Sequence, residues 1–179
     1  MSEKQPEYSV QYMESRRIAR FKNLKPHGAS YLDNALPEYK REIFNVIGRG
    51  VQENKDATAE IKDPEGFNVA IAKCEPGTGG GLHSHTTVEV FMPMDGRFQI
   101  LWGEQGEHSV VLEQFDFISV PVGILRAFTN VGTQTGHLLT ILGGTDAGRL
   151  RWGDKLVADA KSRGWEISPE GHLTIAEKK

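Results

Sequence analysis

One cysteine, Cys74, stands in this chain of 179 residues, so no intrachain disulfide can form and nothing calls for an oxidising compartment. It closes the apolar run FNVAIAKC with no base beside it, which makes a buried, inert thiol the expectation rather than a nucleophile. A basic block is missing too. The 21 Lys and Arg are interleaved with 24 Asp and Glu in runs such as PEYKREIF, and the net charge is -3, so no nucleic-acid footprint is present. No apolar run approaches a membrane span, and the opening MSEKQPEYSVQY lacks the apolar core of a signal peptide. The expectation is a soluble, cytoplasmic protein with neither membrane nor nucleic acid as partner. Gly77, Gly79, Gly80 and Gly81 lack the GK[ST] ending of a phosphate loop and read as a flexible approach to a strand.

What is present is concentrated in GTGGGLHSHTTVEVFMPMDG, residues 77–96. Along a β-strand successive side chains alternate between faces, so one strand would aim His83, His85 and Glu89 to the same side. Two imidazoles and one carboxylate form a ligand set that leaves open positions on iron(II) and also suits manganese, nickel or zinc.

This stretch resembles the first motif of the cupin superfamily: glycine, five residues, HxH, three or four residues, glutamate, six residues, glycine. Gly77, His83, His85, Glu89 and Gly96 meet every specified position. The resemblance implies an all-β fold, a jelly-roll-like antiparallel β-barrel, with His83, His85 and Glu89 as ligands of a divalent transition metal. The second motif is met in part by FDFISVPVGILRAFTN, residues 115–130, where Pro121, Gly123 and Asn130 are in place. Phe115 replaces the opening glycine, and Arg126 stands where a fourth ligand, histidine, is usual.

Arginine stays protonated and has no lone pair to give a metal. Pointing inward, it would attract Glu89 and oppose a cation by about 4 kcal/mol at about 4 Å. Three outcomes stay open. Arg126 clamps an anionic substrate beside a metal on His83, His85 and Glu89; it pairs with Glu89 in a metal-free acid/base or binding pocket; or it swings outward as a surface charge. In the first two, Arg126 and Glu89 are the candidate catalytic residues. A metal-free reaction with Glu89 as base ranks last, because burial and Arg126 push its pKa in opposite directions.

The rest of the chain divides into an extension over residues 1–60, a barrel over 61–148 and a helical segment over 149–179. The extension contains one helical turn near Pro37–Ile43 and the strand-like EIFNVIGRG. Short apolar runs then alternate with turn signals: FNVAIAKC, VEVFMPM, RFQILWG, SVVLEQ, FDFISVP, ILRAFTN and HLLTILGG. The DG at 95–96 and GEQGE at 103–107 read as hairpin turns. GDKLVADAKSRG reads as a helix capped by Asp154 and ended by Gly164, with Leu156, Val157 and Ala160 on its apolar face. There is no internal repeat and no second HxH.

His137 is a distant candidate for the missing ligand, whereas His27, His108 and His172 read as exposed. Of Phe91, Phe98, Gln99, Trp102 and Phe128, most read as core. Phe128 shares the face of Arg126 and suggests an aromatic wall for a small aromatic or unsaturated acid. The function expected is therefore a metal-dependent, dioxygenase-like or isomerase-like enzyme on a small organic substrate. The alternative is a metal-free small-molecule-binding module. A homodimer is expected, paired through the extension and the C-terminal helix.

Overall fold

The computed structural model describes residues 8–51, 53–145 and 149–175. The polar start of the chain, residues 1–7, and Gly148, at the expected end of the barrel, lie outside them. A short helix α1 (Val10–Arg16), capped by the Ser9 hydroxyl, comes first. Single 3-10 turns follow at Phe21–Asn23, Leu32–Ala35 and Pro37–Tyr39. The strands then run β1 (Glu42–Ile47), β2 (Phe67–Cys74), β3 (Gly79–Ser84), β4 (Glu89–Pro93), β5 (Phe98–Trp102) and β6 (His108–Leu112). They continue through β7 (Ile118–Val120), β8 (Arg126–Asn130), β9 (Gly136–Gly143) and the two-residue β10 (Arg151–Trp152). Helix α2 (Asp154–Ser162) and a hairpin of β11 (Trp165–Ile167) and β12 (Leu173–Ile175) complete the chain.

Ten strands make two antiparallel sheets, ordered β1-β2-β9-β4-β7 and β10-β3-β8-β5-β6. Every apolar run expected as a strand is one. Between the sheets lies a core drawn from both: Ile43, Ala72, Phe91, Val120 and Leu138 from one, Phe98, Ile100, Leu112 and Phe128 from the other. This is the cupin-like jelly roll expected, although the two sheets are not hydrogen-bonded into a closed barrel. The sheets also reach past the expected barrel limits of 61 and 148, taking in β1 before them and β10 after. No helix among the described residues is long and apolar enough to cross a membrane.

Several local expectations change. The glycines are not a flexible approach: Gly79, Gly80 and Gly81 are buried and open β3. A Cβ on Gly79 would collide with the Phe128 carbonyl, one on Gly80 with the Phe128 ring, and one on Gly81 with Leu156. Glycine is needed so that β3 can press against β8 on one side and α2 on the other. Gly79→Ala is therefore expected to cost roughly 3 kcal/mol or more, whereas Gly28→Ala, in open space, should leave the thermal melting curve in place. Equal melting temperatures for the two would refute this packing account.

The DG turn at 95–96 carries the chain from β4 to β5, which lie in different sheets, so it is a crossover and not a hairpin. GEQGE does join a hairpin, β5 to β6, with Gly103 and Gly106 at positive φ. The cap of α2 is Gly153, and Asp154 is its first helical residue, placed to favour the positive end of the helix dipole. Leu156 and Ala160 are buried while Val157 is exposed. Their partners are Leu32, Leu36 and Trp152, so this face of α2 packs within the chain.

Candidate metal centre and cavity

His83, His85 and Glu89 do come together, but not from one strand. His83 is on β3, His85 lies one residue past its end, and Glu89 opens β4 in the opposite sheet. The chain crosses between sheets in the residues separating them, and the Gly123 N–H ties down the His85 carbonyl at 3.0 Å. A β-bulge aims His83. Opposite β8, Gly80 faces Phe128 and His83 faces Arg126, so three steps on β3 match two on β8. Without the extra residue, residues 80 and 83 would point to opposite faces; with it both turn inward.

All three side chains are buried, and their ligand atoms lie within 4.8 Å of one another. His83 Nε2 is 3.9 Å and His85 Nε2 3.5 Å from Glu89 Oε2. His83 Nδ1 stands 2.6 Å from the Gly81 carbonyl. A carbonyl can only accept, so Nδ1 carries the proton and the Nε2 lone pair faces the carboxylate. Burial, then the charge of Arg126, pushes the His83 imidazole down to about 3. Burial, then its neighbours His83 and Arg126, lowers His85 as well. Both rings are thus neutral donors of lone pairs. Burial raises Glu89 to about 7 against the lowering pull of Arg126. A His83 lone pair facing the Glu89 carboxylate suits a cation, and an orienting carbonyl on the far nitrogen is what metal-binding histidines carry. The residues fit a divalent transition metal.

Arg126 points inward and is fully buried, which removes the reading of a surface charge. Its Nε–H donates to Glu89 Oε2 at 2.9 Å and Nη1 to the Ile124 carbonyl at 2.9 Å. Nη2 has no partner among the described residues, so the pair with Glu89 is single and not a bidentate fork. Arg126 does not line the cavity and stands behind Glu89. Of the three outcomes left open for it, the pairing with Glu89 is the one present.

A cavity of about 50 Å³ opens beside the cluster. His83, His85, Glu89 and Phe128 form one wall, and Tyr31, Arg41, Ile43, Asn45 and Trp152 much of the rest. It holds a few water-sized groups. Tyr31, Arg41 and Trp152 were not expected there. Their signal was partly legible: Arg41, Ile43 and Asn45 alternate, so all three share the inward face of β1 and the residue before it. Trp152 depends on the two-residue β10, too short to show a period. Its ring centre lies 5.5 Å from that of His83.

Other candidates fall elsewhere. His137 pairs with Asp95 at 2.9 Å, away from the cavity. His108 and His172 are exposed, and half-buried His27 bridges to Ile43 through its backbone. Phe91 and Phe98 are core; Gln99 bonds Ser109 and Trp102 packs on His108. Cys74 is fully buried and its thiol is pushed up to about 12 by burial, as an inert residue should be.

Behind Trp152, the Glu53 carboxylate accepts from Trp152 Nε1 at 2.7 Å and from the Leu32 N–H at 2.6 Å. Burial raises it from 4.5 to about 7. The folded state therefore binds this proton more tightly than the unfolded state does. Stability from this group is full below about pH 4.5 and falls as pH rises toward 7, by up to about 3 kcal/mol at 1.4 kcal/mol per unit. Glu53→Gln is expected to flatten the decline of melting temperature between pH 5 and 8. An unchanged slope would assign the decline to other groups.

Residues 70–142 match the Cupin_2 family, described as a cupin domain. No curated protein matches the sequence. Among solved structures, the chain is similar to one of DMSP lyases, RdDddP and RnDddQII, at 15% identity and a TM-score of 0.55. That match covers 72% of this chain and 62% of the other, so this chain spans less than two thirds of its length. A cupin 2 domain-containing protein from Halorhodospira halophila aligns at 16% identity and a TM-score of 0.52, over 69% and 77% of the two chains. The Schizosaccharomyces pombe Cnp3 cupin domain aligns at 10% and 0.50, over 70% and 72%. These likenesses bear on fold alone. With the family match over residues 70–142, the two-sheet jelly roll and the residues of the first motif, they show that this chain carries a cupin domain.

Proposed function

We propose that the protein is a metal-dependent enzyme acting on a small organic substrate, with a divalent transition metal held by His83, His85 and Glu89. The observation that carries this reading is the His83 tautomer. Its Nδ1–H is committed to the Gly81 carbonyl, so the Nε2 lone pair must face Glu89. A bound metal would supply Lewis acidity for charge developing on a substrate oxygen. The protein's own part is to orient and to exclude water. Arg126 fixes the Glu89 carboxylate, Trp152 packs on His83, and Phe128, Ile43 and Leu142 give the cavity apolar walls.

The aromatic wall and the cavity of about 50 Å³, too small for an aromatic ring, support a small unsaturated substrate, and a dioxygenase-like or isomerase-like reaction suits an open metal position beside it. A second reading, a metal-free binding module, is favoured by the 2.9 Å Arg126–Glu89 pair, which offsets the buried charge without a metal. Elemental analysis of tag-free protein purified without chelators separates the two. Near-stoichiometric iron, manganese, nickel or zinc is expected. No metal, even after anaerobic incubation with each divalent ion, would leave the binding module.

A further inference from the structure

Arg41 is, like Arg126, a buried cation, and it lines the cavity that also exposes His83, His85 and Glu89. Its three hydrogen bonds, to Asp33 Oδ2 at 2.8 Å, the Tyr39 carbonyl at 2.9 Å and the Gly79 carbonyl at 3.0 Å, all leave from Nη1. Nε is buried with no partner among the described residues. A guanidinium carries five donors in a planar fork, so bonding through one nitrogen leaves the opposite edge unused. The cation is held firmly in this pose. Asp33, fully buried, accepts from it and from the Gly81 N–H at 2.9 Å, and the rings of Tyr31 and Phe128 lie 5.0 and 5.6 Å from the guanidinium carbon. A buried donor left unmet beside a cavity marks the place of an acceptor that arrives with a ligand.

We infer that Arg41 anchors the carboxylate of a small organic acid in this cavity, with the acid's other end toward the His83, His85 and Glu89 cluster. This deepens the proposed function and rests on its reading of the cavity as a substrate site. Arg126 is not placed for the task, since it does not line the cavity and its Nε–H is committed to Glu89. The planar fork matches a planar carboxylate. Ile43, Phe128, Leu142 and Trp152 fill the surroundings, and the cavity of about 50 Å³ admits only a small group. Arg41 precedes β1, so the segment ahead of the matched domain, 70–142, supplies part of the site.

The test is a titration with acetate and pyruvate, with acetamide as the uncharged control, in metal-free and metal-loaded protein. Nuclear magnetic resonance follows two reporters, the Trp152 indole N–H and the buried Arg41 Nε–H. Both carboxylates are expected to move the two signals, and acetamide neither. In Arg41→Met/Asp33→Asn, which removes both charges together and strands no buried carboxylate, carboxylate affinity is expected to fall roughly tenfold or more. Metal content should stay unchanged. Equal responses to acetate and acetamide, an Arg41 Nε–H signal unmoved by carboxylates, or undiminished binding in the folded double variant would each overturn the inference. The wild-type reporters decide the matter even where the double variant does not fold. Protein that binds carboxylates through Arg41 but takes up no metal would remove the metalloenzyme reading and leave this one standing; metal-bound protein indifferent to carboxylates would do the reverse.

Discussion

His83→Ala/His85→Ala is expected to abolish transition-metal binding and, with it, the rise in melting temperature that added metal gives the wild type. Two of the three donors disappear, and a lone buried carboxylate already paired with Arg126 has little to offer a divalent ion. The stabilisation at stake follows from mass action: a metal present at 100 times its Kd adds about 2.7 kcal/mol. The alanines themselves replace two buried rings, 5.0 Å apart, so some loss in the metal-free state is also expected. The diagnostic quantity is the difference between metal-loaded and metal-free melting temperatures. It should be positive in the wild type and vanish in the double variant. A metal signal that survives both substitutions would place binding elsewhere on the protein and remove His83, His85 and Glu89 from the site.

Arg126→Met is expected to have the largest effect on stability and to raise metal affinity at the same time. The arginine is 0% exposed and its Nε–H bonds the Glu89 carboxylate, so its loss strands a buried charge. Breaking one side of such a pair costs about 3–5 kcal/mol. Near neutral pH the carboxylate can escape by taking up a proton, since burial already raises it to about 7 with the arginine beside it, and without Arg126 that value rises further. The sign is set by the direction. A raised acid is stabilised in its protonated form, so the variant should lose most stability above neutral pH and least in mild acid. A divalent metal can replace the missing positive charge. Metal should therefore stabilise Arg126→Met more than it stabilises the wild type. Equal metal-induced shifts in the two proteins would mean that Arg126 and the metal do not share Glu89.

Much of this molecule was legible because its local signals are short and periodic. Each apolar run between turns became a strand, and Arg126, Phe128 and Asn130 share an inward face as strand alternation requires. The helix at 154–162 was legible in extent but not in its buried face. Val157 lies at a position compatible with the apolar side, yet the contact with Leu32 and Leu36 is centred on Leu156 and Ala160. That choice depends on where the extension lies, which no local pattern contains.

The metal cluster shows the same division. The spacing from Gly77 to Gly96 picked out three residues that do come together, but for a reason that does not hold, since the single strand expected for them is two strands in two sheets. Period-two reasoning has no means of seeing a bulge, and the bulge between Gly80 and His83 is what turns the first histidine inward. In the same way, an HxH pattern does not reveal that the Gly81 carbonyl will accept a hydrogen bond from His83 Nδ1–H.

By itself, then, the sequence determined the class of fold, the run of strands and the identity of the three candidate ligands, because each is written in residue type and spacing within about twenty positions. Only the tertiary structure decided that Arg126 turns inward to hold Glu89, that the glycines of β3 are places of close packing, and that Arg41 and Trp152 complete the cavity. Those outcomes depend on charges and surfaces brought together from residues tens of positions apart. Whether a buried arginine is tolerable, and which way it points, is set by the partner it finds after the chain has closed around it.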